Sequence, residues 1–202
     1  MTKGNMNIET HQRSKQMFKR MITLTLFLSL ICASLITGAE FKAEQPILIT
    51  AAGQSADVLM AKILAQKNKL NFTLDKLVQP DSLTGYKTLI IVTGGSTKGL
   101  GAAKIDKDDE LKRVQAVIQT AKKNDMSIIV MHLGGKARRG KLSDEFNKLA
   151  AENAHHLIVV QGGDDDAFFT EIAESKKISI QRIPKIINAG VALKKIFAAD
   201  EK

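Results

Sequence analysis

The chain has 202 residues, a formal net charge of +9, one cysteine, one tyrosine and no tryptophan. A single cysteine excludes an internal disulfide framework. So few aromatic side chains exclude the base-stacking platforms that bind single strands, so no nucleic-acid partner is expected.

Residues 1–39 read as a signal peptide. Lys15, Lys19 and Arg20 precede an uncharged run from Ile22 to Ile36, and the small-residue exit Thr37-Gly38-Ala39 closes it. The run is short for a membrane span, which needs roughly 20 apolar residues. Cleavage after Ala39 is therefore expected, with an uncleaved inner-membrane anchor as the alternative. Met17 is a second candidate start. Ile31 precedes Cys32 where a lipoprotein signal needs a small residue, so lipidation is not expected. The remainder of the chain, 40–202, reads as a single cysteine-free domain, periplasmic or secreted. Its charge balance stays basic and suits an anionic partner.

In chain order, apolar β-like runs alternate with helical stretches. "PILITAAG" from Pro46 leads to a helix over 55–69, and "NFTLDKLV" from Asn71 is a poor strand that Asp75 and Lys76 interrupt. "TLIIVTGG" from Thr88 precedes a helix over 108–123, with Leu111, Val114, Val117, Ile118 and Ala121 on one face. "SIIVMHLGG" from Ser127 leads to a helix over 143–153, and "HLIVVQGG" from His156 to one over 166–175. "ISIQRI" from Ile178 precedes a last helix over 185–198. Strands this uniformly apolar are buried on both faces of a mainly parallel sheet. The expectation is a doubly wound, flavodoxin-like α/β sandwich of five or six strands. Ten of the 14 glycines fall just past predicted strand ends, which marks that edge of the sheet as the functional rim.

Four motifs lie on that rim. "GGSTKGLGAA", from Gly94, lacks the glycine-lysine-hydroxyl order of a Walker loop and the third glycine of a dinucleotide fingerprint. It reads as a lid or hydrogen-bonding wall, with Asp106, Asp108 and Asp109 at the next helix start repelling an anion there. "GQSAD", from Gly53, puts Ser55 on a strand-to-helix turn where esterases place a nucleophile. The "GQS" triplet is similar to the serine turn of flavodoxin-like acetylesterases, which implies Ser55 as nucleophile; His132 is the base that a serine esterase on this chain would use. No histidine lies near the chain's end, where that pattern needs one, and Ser55 serves equally as a helix N-cap. "HLGGKARRG", from His132, gathers Lys136, Arg138 and Arg139, and arginine suits bidentate recognition of carboxylate or phosphate. "GGDDD", from Gly162, offers Asp164 and Asp165 as a weak alternative cation site, although one aspartate is needed as a helix cap. No metal or cofactor is expected.

The G-Q-S turn (Gly53, Gln54, Ser55), the loop from Gly94 to Ala103 and the A-R-R triplet (Ala137, Arg138, Arg139) together resemble a family of exported bacterial proteins known as a domain of unknown function. The resemblance runs from about Pro46 to Ile183 and implies export and a small α/β domain, without an established activity. The functional expectation is a periplasmic binding module for a small anionic ligand. Gln54, Ser55, Thr93, Gly94, Gly95, Ser96 and Thr97 would supply hydrogen bonds, and Lys98, Arg138 and Arg139 the charge. The alternatives are a serine esterase, or an interaction protein at the membrane surface, with a transporter or membrane component as partner.

Overall fold

The computed structural model describes residues 40–198; the signal peptide expected over 1–39 lies outside the described residues. Six parallel strands form one sheet in the order β2-β1-β3-β4-β5-β6: β1 (Ile47–Ala52), β2 (Phe72–Leu74), β3 (Thr88–Thr93), β4 (Ser127–His132), β5 (His156–Val160) and β6 (Ser179–Ile183). The central strands are buried along both faces, as continuous Ile, Val and Leu runs require. The edge strands differ: β2 has three residues and β6 is mostly solvent-accessible. The doubly wound α/β sandwich expected from the sequence is the fold observed.

Alternate residues of each strand feed two cores. Leu48, Leu89, Ile91, Ile128, Val130 and Leu157 point to one face. There they meet α3 (Lys107–Lys123), α4 (Lys141–Ala151) and α5 (Phe168–Lys176) through Val114, Val117, Phe146 and Phe169. Ile47, Ile49, Ile90, Val92, Ile129 and Ile158 point to the other face. These meet α1 (Val58–Lys67) and α6 (Asn188–Ile196) through Val58, Ala61, Leu64, Ala192 and Leu193. Asp106 caps α3 by accepting from the Asp109 N–H at 2.8 Å, and Lys122 and Lys123 occupy its last turn, each suited to its end of the helix dipole.

The segment after β3 differs from expectation. Thr97–Ala103 is a short helix, α2, rather than a glycine-rich loop. Ser96 caps it by accepting from the Gly99 N–H at 3.1 Å. Gly99 lies against the backbone of Gln54, where a Cβ would collide with the Gln54 carbonyl oxygen. Gly99 thus serves the close approach of two backbones, and the stretch folds as a helix despite its poor propensity.

Candidate functional site

In a sheet of this order the chain runs outward in both directions from β1 and β3. The helices after those two strands go to opposite faces, which opens a crevice at their C-terminal ends. A cavity of about 490 Å³ lies there, between the loop after β1 and α2. Gln54, Ser55, Ser96, Lys76 and Lys98 give it a polar side, and Val58, Leu59, Leu77, Ala102 and Ala103 an apolar one. Among the described residues no carboxylate lines it. A larger hollow of about 740 Å³ at the opposite edge mixes Lys42 and Lys87 with Glu44 and Asp125. It lies at the strands' N-terminal ends, where open α/β sheets do not place ligands.

A buried ion pair beneath the crevice holds its Gly53–Gln54 turn in place. Glu110 on α3 is fully buried. Its Oε1 accepts from the Gly53 N–H (3.0 Å) and from Gln54 Nε2 (2.9 Å). Arg113, one turn on, donates from Nε to Glu110 Oε2 at 2.7 Å, from Nη2 to the Ala51 carbonyl at 2.6 Å and from Nη1 to the Val78 carbonyl at 3.0 Å. The pair thus joins α3, the end of β1 and the segment after β2. Gln54 stands in the left-handed region at φ 58°, a conformation costing on the order of 1 kcal/mol for a non-glycine residue. Its side-chain bonds to Glu110 and to the Lys76 carbonyl (3.0 Å) hold it there. Gly53 beside it has φ 88°, and a Cβ would stand 2.7 Å from Phe146.

Ser55 is buried, and its hydroxyl donates to Asp57 Oδ2 at 2.6 Å while accepting from the Asp57 N–H at 3.1 Å. It is not the helix cap, because α1 starts at Val58. Asp57 in turn accepts from Arg138 Nε at 3.2 Å, and Arg138 Nη1 reaches the Gly95 carbonyl at 3.4 Å. Arg139 is more heavily engaged. It donates to Asp144 at 2.7 Å, to both carboxylate oxygens of Asp166 (2.8 and 2.9 Å) and to the Gly163 carbonyl at 2.6 Å, and its guanidinium lies 4.2 Å from the Phe168 ring centre. Hydrogen bonding from Arg139 pulls the Asp166 pKa down to about 2. Both arginines are therefore bound within the fold, and neither lines the crevice.

The remaining expected residues divide between crevice and scaffold. Thr93 donates to Asn147 at 3.0 Å, and the Gly95 N–H donates to Ser143 at 3.0 Å. The Gly94 N–H goes to the Ala52 carbonyl. These groups stitch β3 to α4 and β1. Ser96 and Lys98 line the crevice, whereas Thr97 opens α2 beside it. His132 is fully buried, with Nε2 3.1 Å from the Gly135 carbonyl and its ring tilted on Phe169. Burial pushes its pKa below the ordinary imidazole value. Asp164 caps α5 through the Phe169 and Thr170 N–H groups. Among the described residues no cluster of three or more acidic, histidine or cysteine side chains could hold a metal.

Sequence reasoning missed Lys76, Glu110 and Arg113. For the last two a signal existed: they occupy the same helical face as Val114, Val117 and Ile118, and a charged pair at i and i+3 inside an apolar stripe is a buried pair.

Fold and crevice together define a doubly wound α/β protein whose C-terminal strand edge carries a pocket with Lys76 and Lys98 in its lining. The chain belongs to a domain of unknown function, DUF6305, whose family model matches residues 44–197. No curated protein sequence matches it significantly. Among solved structures it is similar to an esterase from Pseudoalteromonas sp., at 12% identity over 68% of this chain and 76% of that one, TM-score 0.30. It is also similar to a GDSL-like lipase from Bacteroides thetaiotaomicron, at 12% identity over 67% of this chain and 66% of that one, TM-score 0.32. At such scores the likeness carries nothing about chemistry.

Proposed function

We propose that the protein is a binding module, exported from the cell, for a small amphipathic anion held in the crevice between the ends of β1 and β3. The observation that carries this reading is the lining itself: Lys76 and Lys98 on a cavity with one apolar wall and no carboxylate. A carboxylate or phosphate would sit toward the two lysines, with Ser96 and the Gln54–Ser55 turn within the same wall. The apolar part would lie against Val58, Leu59, Leu77 and the alanines of α2. Of the charge assigned in the sequence to Lys98, Arg138 and Arg139, Lys98 stays in the crevice and Lys76 takes the place of the arginines, which already hold Asp57, Asp144 and Asp166. Thermal-shift screening of carboxylates and organic phosphates that bear an apolar group tests the reading. A hit should lose affinity about tenfold or more in Lys98→Gln or Lys76→Gln, since a charge-assisted hydrogen bond contributes roughly 1.5–3 kcal/mol. Equal binding by both variants overturns it.

The turn bearing Ser55 supports a second reading, a serine esterase. Its geometry favours binding over catalysis. The Ser55 hydroxyl is turned to Asp57, His132 to the Gly135 carbonyl, and a serine without an imidazole to take its proton is a weak nucleophile. Hydrolysis of p-nitrophenyl acetate by the purified protein should not exceed that by Ser55→Ala; a serine-dependent rate would restore the esterase.

A further inference from the structure

The helical layer formed by α1 and α6 leaves five large apolar side chains exposed: Leu59, Met60 and Ile63 on α1, and Ile187 and Val191 at and after the start of α6. The two helices touch: Asn68 Nδ2, just past α1, donates to the Gly190 carbonyl of α6 at 2.9 Å, and Leu64 lies against Gly190. The exposed side chains therefore belong to one surface. Its charge is one-signed. From Val58 to Leu74 and from Ser175 to Ala198 the chain contains lysines and an arginine but no aspartate or glutamate. Exposed Lys67, Lys194 and Lys195 flank the apolar side chains. An apolar helical face whose own helices carry cations and no carboxylate is the surface chemistry that seats a helix in an anionic bilayer interface, with the apolar groups among acyl chains and ammonium groups at the headgroups.

The chain's own course fits that occupant. Phe41 and Ala43 pack into the same core as α1 and α6. The Ala43 N–H donates to the Ile196 carbonyl, and Lys42 Nζ to the Lys195 carbonyl at 2.8 Å. The described chain thus begins at the C-terminal end of α6. In sequence, the uncharged run Ile22–Ile36 ends only a few residues before Phe41, so a chain that keeps that run is tethered next to the segment that packs on α6.

We propose that the α1–α6 face docks on an anionic phospholipid surface, with Ile63, Ile187 and Val191 entering the interface and Lys67, Lys194 and Lys195 engaging headgroup phosphates. This inference is independent of the ligand in the crevice. The full chain should be sedimented with phosphatidylcholine vesicles, with and without phosphatidylglycerol. Binding to phosphatidylcholine alone reports whatever the leader contributes; the gain on adding phosphatidylglycerol reports the face. Wild-type protein should show a gain that added salt suppresses. Lys67→Gln/Lys194→Gln/Lys195→Gln should lose it by about tenfold or more, since each cation near such a surface contributes several-fold. Ile187→Ser/Val191→Ser should weaken binding to the same vesicles. All substituted positions are exposed, so melting temperatures should stay unchanged and binding loss cannot be ascribed to unfolding. The proposal is overturned if the lysine variant keeps the wild-type gain, or if the serine variant binds as wild type does. It is also overturned if phosphatidylglycerol adds nothing while Ile187→Ser/Val191→Ser dissolves a dimer, which would assign the face to a second copy.

Discussion

On one side of the sheet, α3, α4 and α5 carry eight basic and seven acidic residues and tie many of them together. Glu110 with Arg113 and Lys107 with Glu145 are within 3.0 Å, and Arg139, in the loop before α4, lies within 3.0 Å of both Asp144 and Asp166. On the other side, α1 and α6 carry Lys62, Lys67, Lys194 and Lys195 and no acidic residue. Their exposed apolar side chains have no counterpart of that number on the first side. Both layers bury a continuous apolar face against the sheet, so folding alone does not demand the difference at the outer surface. One layer satisfies its charges internally and positions the crevice; the other leaves charge and apolar surface available to something outside the domain.

The largest effect that would test this contrast lies at the Glu110–Arg113 pair. Glu110→Gln leaves the Arg113 guanidinium buried without its carboxylate, and breaking a buried pair this way costs about 3–5 kcal/mol. For a domain of this size the melting temperature should fall by roughly 6–20 °C. The Gly53–Gln54 turn would also lose its acceptor, so crevice binding should weaken in the same variant. Calorimetry on Glu110→Gln and Arg113→Leu checks this; a change of less than a degree would mean the paired layer gains nothing from its pairing.

A second, smaller effect belongs to the α1–α6 side. His156 stacks on Phe41, rings 5.0 Å apart, and its Nδ1 lies 2.7 Å from Ser179 Oγ. Because that hydroxyl donates to the His155 carbonyl, Nδ1 carries the imidazole proton and donates to it. Nε2 is then left bare, buried and without a partner. Protonating it would place a charge there, so burial lowers the pKa to about 4. The folded protein therefore binds fewer protons than the unfolded chain between pH 6.5 and 4, and stability falls as pH falls through that window. After allowance for solvent screening, the loss is on the order of 1–2 kcal/mol, a few degrees of melting temperature. His156→Phe keeps the ring stack and removes the titration. It should make the pH dependence shallower over that range, the remainder belonging to His132 and His155, whose pKa values burial also lowers; an unaltered slope would place the titrating group elsewhere.

These two sites also separate what the sequence tells from what it hides. The strands were legible because burial on both faces forces uninterrupted apolar runs, as in "TLIIV" and "SIIVM". The crevice's position was legible for the same reason, since strand ends share one edge. Of its two cations Lys98 was named from the sequence and Lys76 was not. Lys76 comes after a strand of three residues, too short to show a period. Arg138 finds Asp57 across 81 positions, and Arg139 finds Asp166 across 27. No local pattern announces such partners, so two neutralised arginines resembled an open anion site. The glycines after β3 misled in the opposite sense: their poor helix propensity concealed a helix that a Ser96 cap and contact with the Gln54 backbone hold in place.

The smallest effect is expected where the two layers differ most to the eye. Ile187 and Val191 are 57% and 56% exposed. Water already covers more than half of each, so folding removes little apolar area there, and at about 25 cal/mol per Å² the stability held in that contact is small. Their neighbours Ala189, Ala192 and Leu193 are fully buried and carry the attachment of α6 to the sheet. Ile187→Ser/Val191→Ser should therefore change stability by no more than about 0.5 kcal/mol, or about 2 °C in melting temperature. Chemical denaturation of the purified protein without lipid reads this directly. A larger loss would make these side chains part of the α6 attachment and erase the distinction between a closed layer and an open one. A null result leaves two apolar residues on a cation-rimmed face that contribute nothing to folding, which is the condition a docking surface must meet.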